Sequence, residues 1–145
     1  MDFERDREAA ARALYGMAKE AAKKAYAPYS KFQVGAALLT GSGGIYTGVN
    51  VENASYGAAI CAERTAFVKA ISEGERSFVA MAVAAEQSEA LPCGICRQFM
   101  NEFAPELEII TGEDESSLHI RKLCELLPLA FTLRQEQEDP AATEG

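Results

Sequence analysis

Cys61 and the pair Cys93–Cys96 constrain how this chain can fold more than any other feature. Cys61 opens "CAERTAF", and Cys93 lies second in "PCGICRQ"; both stretches have helical character. A helix start presents free N–H groups and a partial positive charge, which favour thiolate over thiol. Thiolate is the form that binds zinc. The interval between Cys61 and Cys93 holds one helix, one strand and their loops, close to the roughly thirty residues of a crossover unit. In a parallel pair both helices then begin at the same sheet edge, where the three thiolates of Cys61, Cys93 and Cys96 can converge on one ion. Three protein ligands and an open fourth position is the pattern of a catalytic zinc site, whereas structural sites are closed by four. Soft sulfur ligands are what point to zinc.

The remaining elements follow from apolar period and turn residues. Phe3 to Tyr26 is Ala-rich with a helical period that places Leu14, Met17, Ala18, Ala21 and Ala25 on one face. "APYS" ends it at Pro28. "FQVGAALLT" and "IYTGVNVEN" read as strands joined by the turn "GSGG", a hairpin. In "ICAERTAFVKAISEG" the alanines 62, 66 and 70 form one stripe and Gly74 is the stop. "FVAMAVAA" is apolar throughout, as expected at a sheet centre. "PCGICRQFMNEF" is helical, "ELEIIT" and "LHIRKL" are strands, and "CELL" is a short helix. The sequence predicts an α/β fold: a mixed sheet covered by helices on both faces.

A length of 145 residues suits one domain, and 48% hydrophobic residues are enough for a core. The net charge of -8 argues against a surface that tracks nucleic-acid phosphates. "MDFERDREAA" is not followed by the apolar stretch of a signal peptide, and no run reaches the roughly 18 apolar residues of a membrane span. A cytoplasmic protein is expected, with reduced cysteines acting as ligands or core residues rather than disulfides. After Arg134 the chain is acidic, "QEQEDPAATEG". The expected division is a domain at 1–134 and a frayed tail at 135–145.

Other residues take roles around the cysteines. Cys124, in "KLCELL", reads as core, and His119, the single histidine, as a surface or packing residue. Glu63 taken alone is a helix-start acid. Beside three cysteines it is a carboxylate placed to take a proton from water and hand it to a substrate nitrogen. Three thiolates on Zn²⁺ sum to a net charge of −1, so a compensating donor is needed. Arg64 is the favoured candidate and Arg97 the second, the alternative for each being a surface ion pair. Asn50 and Glu52 are two apart on a strand and share a side, which suits a diol or a solvated face equally.

The order of these motifs resembles the small cytidine deaminases. The zinc nucleobase deaminase pattern is a ligand, one residue, Glu, and later Pro-Cys-x-x-Cys. This chain has "CAE" and "PCGIC", and the likeness runs from "AYAPYSKFQVGAAL" through "GVNVENASYG" to "ELLPLAF". The resemblance implies a three-layer α/β/α fold with a five-stranded mixed sheet. It implies hydrolysis of cytidine and 2'-deoxycytidine to uridine and 2'-deoxyuridine, with release of ammonia, in pyrimidine salvage. Cys61, Cys93 and Cys96 would hold one Zn²⁺ per subunit, zinc-bound hydroxide would attack C4, and Glu63 would shuttle protons. Ala62 and Pro92 resemble the backbone groups that read the base edge and the leaving amine. Phe32 resembles the ring beside the base, Asn50 and Glu52 the ribose-binding pair, and Tyr56 a site-lining residue. Phe131 resembles an aromatic that reaches into a neighbour's site, in a homotetramer with shared active sites. A small nucleoside is the implied partner, with no nucleic acid and no membrane.

Rival readings remain. A deaminase of a cytosine antibiotic of the blasticidin S type shares the zinc pattern, but gives Glu52 less to do. A nucleic-acid editing deaminase needs a basic aromatic channel that is absent here. A non-catalytic zinc module needs a fourth ligand and has no use for Glu63. A thiol oxidoreductase built on "CGIC" leaves Cys61 unexplained.

Overall fold

The computed structural model describes residues 1–86 and 88–133, so the acidic tail expected at 135–145 lies outside the described residues. Helix α1 (Arg7–Ala22) starts at Asp6, whose carboxylate accepts the Ala9 N–H at 3.3 Å. Strands β1 (Val34–Thr40) and β2 (Ile45–Val49) form the hairpin. An extended stretch and a 3₁₀ turn at Tyr56–Ala58 then lead to helix α2 (Ala62–Ser72). Next come β3 (Phe78–Ala85), α3 (Gly94–Asn101), β4 (Glu108–Gly112), β5 (Leu118–Lys122) and α4 (Leu123–Leu126).

The sheet order is β2-β1-β3-β4-β5. β1 is antiparallel to both β2 and β3, β3 is parallel to β4, and β5 is antiparallel to β4. Strands β2, β3 and β4 therefore share a direction. The helices that follow β2 and β3, α2 and α3, leave from one edge of the sheet. β1 begins at that same edge: Val34 faces Ala85, the last residue of β3, and Gly35 faces Val49, the last residue of β2. One connection into β1 and two out of β2 and β3 thus meet in a single place.

Alternation along the strands divides the core in two. Ala37, Leu39, Ala80, Ala82 and Ile110 pack under Leu14, Tyr15 and Ala18 of α1. Leu38, Met81, Val83 and Ile109 pack under α2, α3 and Leu123 on the other face. The result is the three-layer α/β/α arrangement with a five-stranded mixed sheet. Phe67, Phe78, Phe99 and Phe103 cluster with ring centroids between 4.7 and 6.4 Å apart, binding α2 to α3.

The inward face of α1 holds Leu14 and Ala18 as expected but departs from the expected one elsewhere. Met17 is 37% exposed, and the buried positions are Ala10, Ala11, Leu14, Tyr15, Ala18 and Ala22. The cause is Gly35 on β1, where a Cβ would lie 2.0 Å from the Ala18 carbonyl oxygen. The helix backbone rests directly on the strand, which turns Ala18 and Ala22 inward. Gly48 does the same for α2: a Cβ there would lie 2.5 Å from the Ala62 carbonyl oxygen and 2.4 Å from the Ala66 nitrogen. The first turn of α2 is thereby seated on the sheet beside the edge where the loops meet. Among the described residues no helix is long and apolar enough to cross a membrane.

Candidate active site

Cys61 and Cys93 occupy the N-cap positions of α2 and α3, with extended backbone and no side-chain capping bond. Ser, Thr, Asp or Asn at this position would turn back onto the helix. The two thiols instead turn toward each other, with sulfurs 3.7 Å apart. Cys96, in the first turn of α3, is buried, and all three sulfurs lie within 4.8 Å of one another. A tetrahedral zinc with Zn–S bonds of about 2.3 Å spaces its sulfurs by about 3.8 Å, so the donors and their separation fit the ion. All four cysteines are free thiols, and Cys124 is half-buried at the start of α4, outside the cluster.

The surroundings favour negative charge on sulfur. Hydrogen bonding to Cys96 first, and then to Arg64 and Cys93, lowers Cys61 to about 5 against the opposing effect of burial. Cys96 is pushed up by the same hydrogen bond and by burial. Cys61, the sulfur held low, is the one that Arg64 Nη2 approaches at 3.7 Å. Arg64 Nε is buried, and among the described residues it has no hydrogen-bond partner. Through Nη2 its charge faces the sulfurs of Cys61 and Cys96, as a compensating donor would. Arg97 points elsewhere: Nε donates to the Pro92 carbonyl at 2.7 Å and Nη1 to the Leu126 carbonyl at 2.8 Å. Among the described residues it donates to no sulfur and pairs with no acid. Its fork ties the residue ahead of Cys93 to the end of α4.

Glu63 is the second residue of α2 and only 4% exposed. Burial raises its carboxyl to about 7, and the negative charge of Cys61 adds to the effect. A carboxyl so placed holds or yields a proton near neutral pH.

Loops make the facing wall. Asn50 and Glu52 lie past the end of β2, in an extended stretch that keeps the alternation of a strand. Asn50 Oδ1 accepts the Val34 N–H at 2.8 Å, and its Nδ2 donates to the Phe32 carbonyl at 2.8 Å. Glu52 Oε1 accepts the N–H groups of Tyr29 at 2.9 Å and Ser30 at 3.1 Å, and Oε2 accepts the Ser30 hydroxyl. The pair expected to meet a ligand therefore also builds the loop that presents Phe32, which is 45% exposed.

Phe32, Asn50, Glu52, Cys61, Ala62, Glu63 and Cys93 line one cleft of about 400 Å³, within the size range of small-molecule sites. Pro92 is buried beside it. Tyr56, 85% exposed, and Phe131, 66% exposed, are outside this lining. The Phe131 carbonyl accepts from Gln98 Nε2 at 2.9 Å. The cleft also takes in Ser30, Val34, Glu89, Ala90 and Leu91, which sequence reasoning did not single out. Ala90 and Leu91 adjoin "PCGIC", and their position was a usable signal. Glu89 had none, because its partners are Thr111 and His119, more than twenty residues on.

Known proteins resemble this chain in sequence and in fold. The family model described as "Cytidine and deoxycytidylate deaminase zinc-binding region" matches residues 9–111. A cytidine deaminase of Halalkalibacterium halodurans is 50% identical over 115 residues, covering 78% of this chain and 87% of its own. A probable cytidine deaminase of Dictyostelium discoideum is 47% identical over 124 residues, covering 84% of this chain and 81% of its own. The crystal structure of cytidine deaminase from Burkholderia pseudomallei superimposes with a TM-score of 0.78 at 48% identity, covering 82% of this chain and 97% of that one.

Proposed function

The chain belongs to the cytidine and deoxycytidylate deaminase family of zinc enzymes, and from that premise we propose that it hydrolyses the 4-amino group of cytidine and 2'-deoxycytidine. The products are uridine or 2'-deoxyuridine and ammonia, a step of pyrimidine salvage. The observation that carries the reading is a three-thiol cluster, with Cys61 and Cys93 lining the same cleft as the buried carboxyl of Glu63 and Cys96 buried behind them.

Cys61, Cys93 and Cys96 would hold the zinc. When bound, the ion supplies a water acidic enough to give a nucleophile near neutral pH. Glu63 would accept a proton from the attacking water and pass it to N3 of the ring, then take the second proton from the oxygen newly bonded to C4 and deliver it to the amine as the C4–N bond breaks. The Ala62 N–H and the Pro92 carbonyl orient the base edge. Arg64 offsets the excess charge of three thiolates, which would otherwise blunt the metal as an acid. Phe32 packs on the base, while Asn50 and Glu52 meet the sugar hydroxyls.

Charge favours a nucleoside over a nucleotide. Glu52, Glu63 and Glu89 line the cleft, and no Lys or Arg is among its described lining residues. A 5'-phosphate would find carboxylates and no counter-charge. The exposure of Tyr56 and Phe131 supports an assembly in which neighbouring copies complete the site, and a homotetramer is proposed. Its mass in solution tests that.

Zinc-loaded protein mixed with cytidine should convert its ultraviolet spectrum to that of uridine, with one ammonia per turnover. Deoxycytidylate should react far more slowly. An unchanged cytidine spectrum with turnover of a blasticidin-type substrate would favour the antibiotic reading. No turnover of any cytosine compound would favour a non-catalytic zinc module.

A further inference from the structure

The segment 88–92 has no regular structure, yet it ends at Cys93 and carries the Ala90 and Leu91 part of the cleft wall. Arg97 grips its far end through the Pro92 carbonyl. Its near end is held by Glu89, a residue the proposed reaction does not use. Glu89 Oε2 accepts the Thr111 hydroxyl of β4 at 2.5 Å, and His119 Nδ1 of β5 lies 3.2 Å away. Arg121 Nη1 of β5 donates to Thr111 Oγ1 at 3.3 Å and stands 3.6 Å from Glu89 Oε2. Thr111 is wholly buried. Because Arg121 already gives a hydrogen to the Thr111 oxygen, the hydroxyl's own hydrogen is left to point at Glu89. The direction of that bond is set by the sheet and not by the loop. These donors, Thr111 first, also hold the Glu89 carboxyl below its ordinary range.

We propose that Glu89 is a positioning residue for the deamination: bonded to Thr111, it locks segment 88–92 onto β4 and β5 and so sets the place of the Cys93 sulfur and of the wall beside it. The inference rests on the reading of the three thiols as the zinc site. It assigns a task to a strand pair, β4 and β5, that contributes no residue to the cleft itself. A tether of this kind acts through the ligand it orients, and loss of such outer partners commonly costs about 10- to 100-fold in metal retention or activity.

The test compares Glu89→Gln, Thr111→Val and Thr111→Ser as full-length, zinc-loaded protein. The readouts are the rate of zinc transfer to a chromophoric chelator, and kcat and KM for cytidine. Tyr15→Phe is the control. It removes a buried bond to the Gly112 carbonyl, 3.0 Å long, one residue along the same strand, and so lowers stability without touching the tether. Glu89→Gln and Thr111→Val are expected to release zinc about tenfold faster and to lower kcat about tenfold. Thr111→Ser should return both to near wild type, and Tyr15→Phe should release zinc at the wild-type rate. Zinc release and kcat within about twofold of wild type in both tether variants would overturn the inference. So would equal acceleration by Tyr15→Phe. If the unaltered protein takes up no zinc, the zinc-site reading itself fails, and the inference with it.

Discussion

The two walls of the cleft are built by different means. The thiol wall stands on the starts of α2, seated on the sheet at Gly48, and of α3, with Cys61 and Cys93 at the N-caps. The sugar-side wall is loop, and it keeps its shape because Asn50 and Glu52 hydrogen-bond its backbone at Tyr29, Ser30, Phe32 and Val34. The difference teaches where each part is vulnerable. On the first wall a residue acts through its own reactive atom. On the second it acts largely through the position of its neighbours.

Substitutions can break that distinction or sharpen it. Cys96→Ala should have the largest effect, losing zinc and activity together, as metal analysis and the cytidine assay would show. Full zinc occupancy in this variant would remove Cys96 from the ligand set. Glu63→Gln should lower kcat by about 10³-fold or more while zinc and folding stay intact. Near-normal turnover would sink its proton role.

Gly48→Ala probes the seat of α2. The added methyl would meet the Ala62 carbonyl and the Ala66 nitrogen, so a loss of about 1–3 kcal/mol is expected in denaturant unfolding, with weaker zinc retention. Unaltered stability would mean that α2 shifts freely. Asn50→Ala should raise KM for cytidine about tenfold with zinc unchanged, and an unchanged KM would leave the sugar-side reading without support. The smallest effect is one of pH. Glu52 is held below the ordinary carboxyl range, first by the Ser30 hydroxyl and then by the Ser30 and Tyr29 N–H groups. A lowered folded pKa stabilises the protein above the unfolded value, about 4.3, and that contribution is lost as pH falls through the folded one. The difference in Tm between the parent and Ser30→Ala should therefore be steady near neutrality and close below about pH 4. A gap that persists in acid would point to packing instead of the carboxylate.

Much of this was legible in the chain, and for identifiable reasons. "FVAMAVAA" becomes β3 from Phe78 to Ala85 because a run buried on both faces needs no partner to be recognised. The stripe of Ala62, Ala66 and Ala70 is wholly buried as its period requires. Period alone placed Leu14 and Ala18 inward rightly but turned Met17 inward and left out Ala11, Tyr15 and Ala22, since Gly35 decides which side approaches the strand. Asn50 and Glu52 were readable as a pair on one side. Their bonds to the Phe32 loop were not, because they join residues about twenty apart.

The sequence by itself determined the elements, the three thiols and the acid beside them. Those depend on local period, on helix starts and on residue chemistry, all carried within a few positions of one another. Only the tertiary structure decided that Arg97 grips Pro92 and Leu126, that Glu63 is buried enough to titrate near neutrality, and that Glu89 answers to Thr111. Those outcomes depend on distances and desolvation between segments far apart in the chain. Such quantities come into being only when the strands pair.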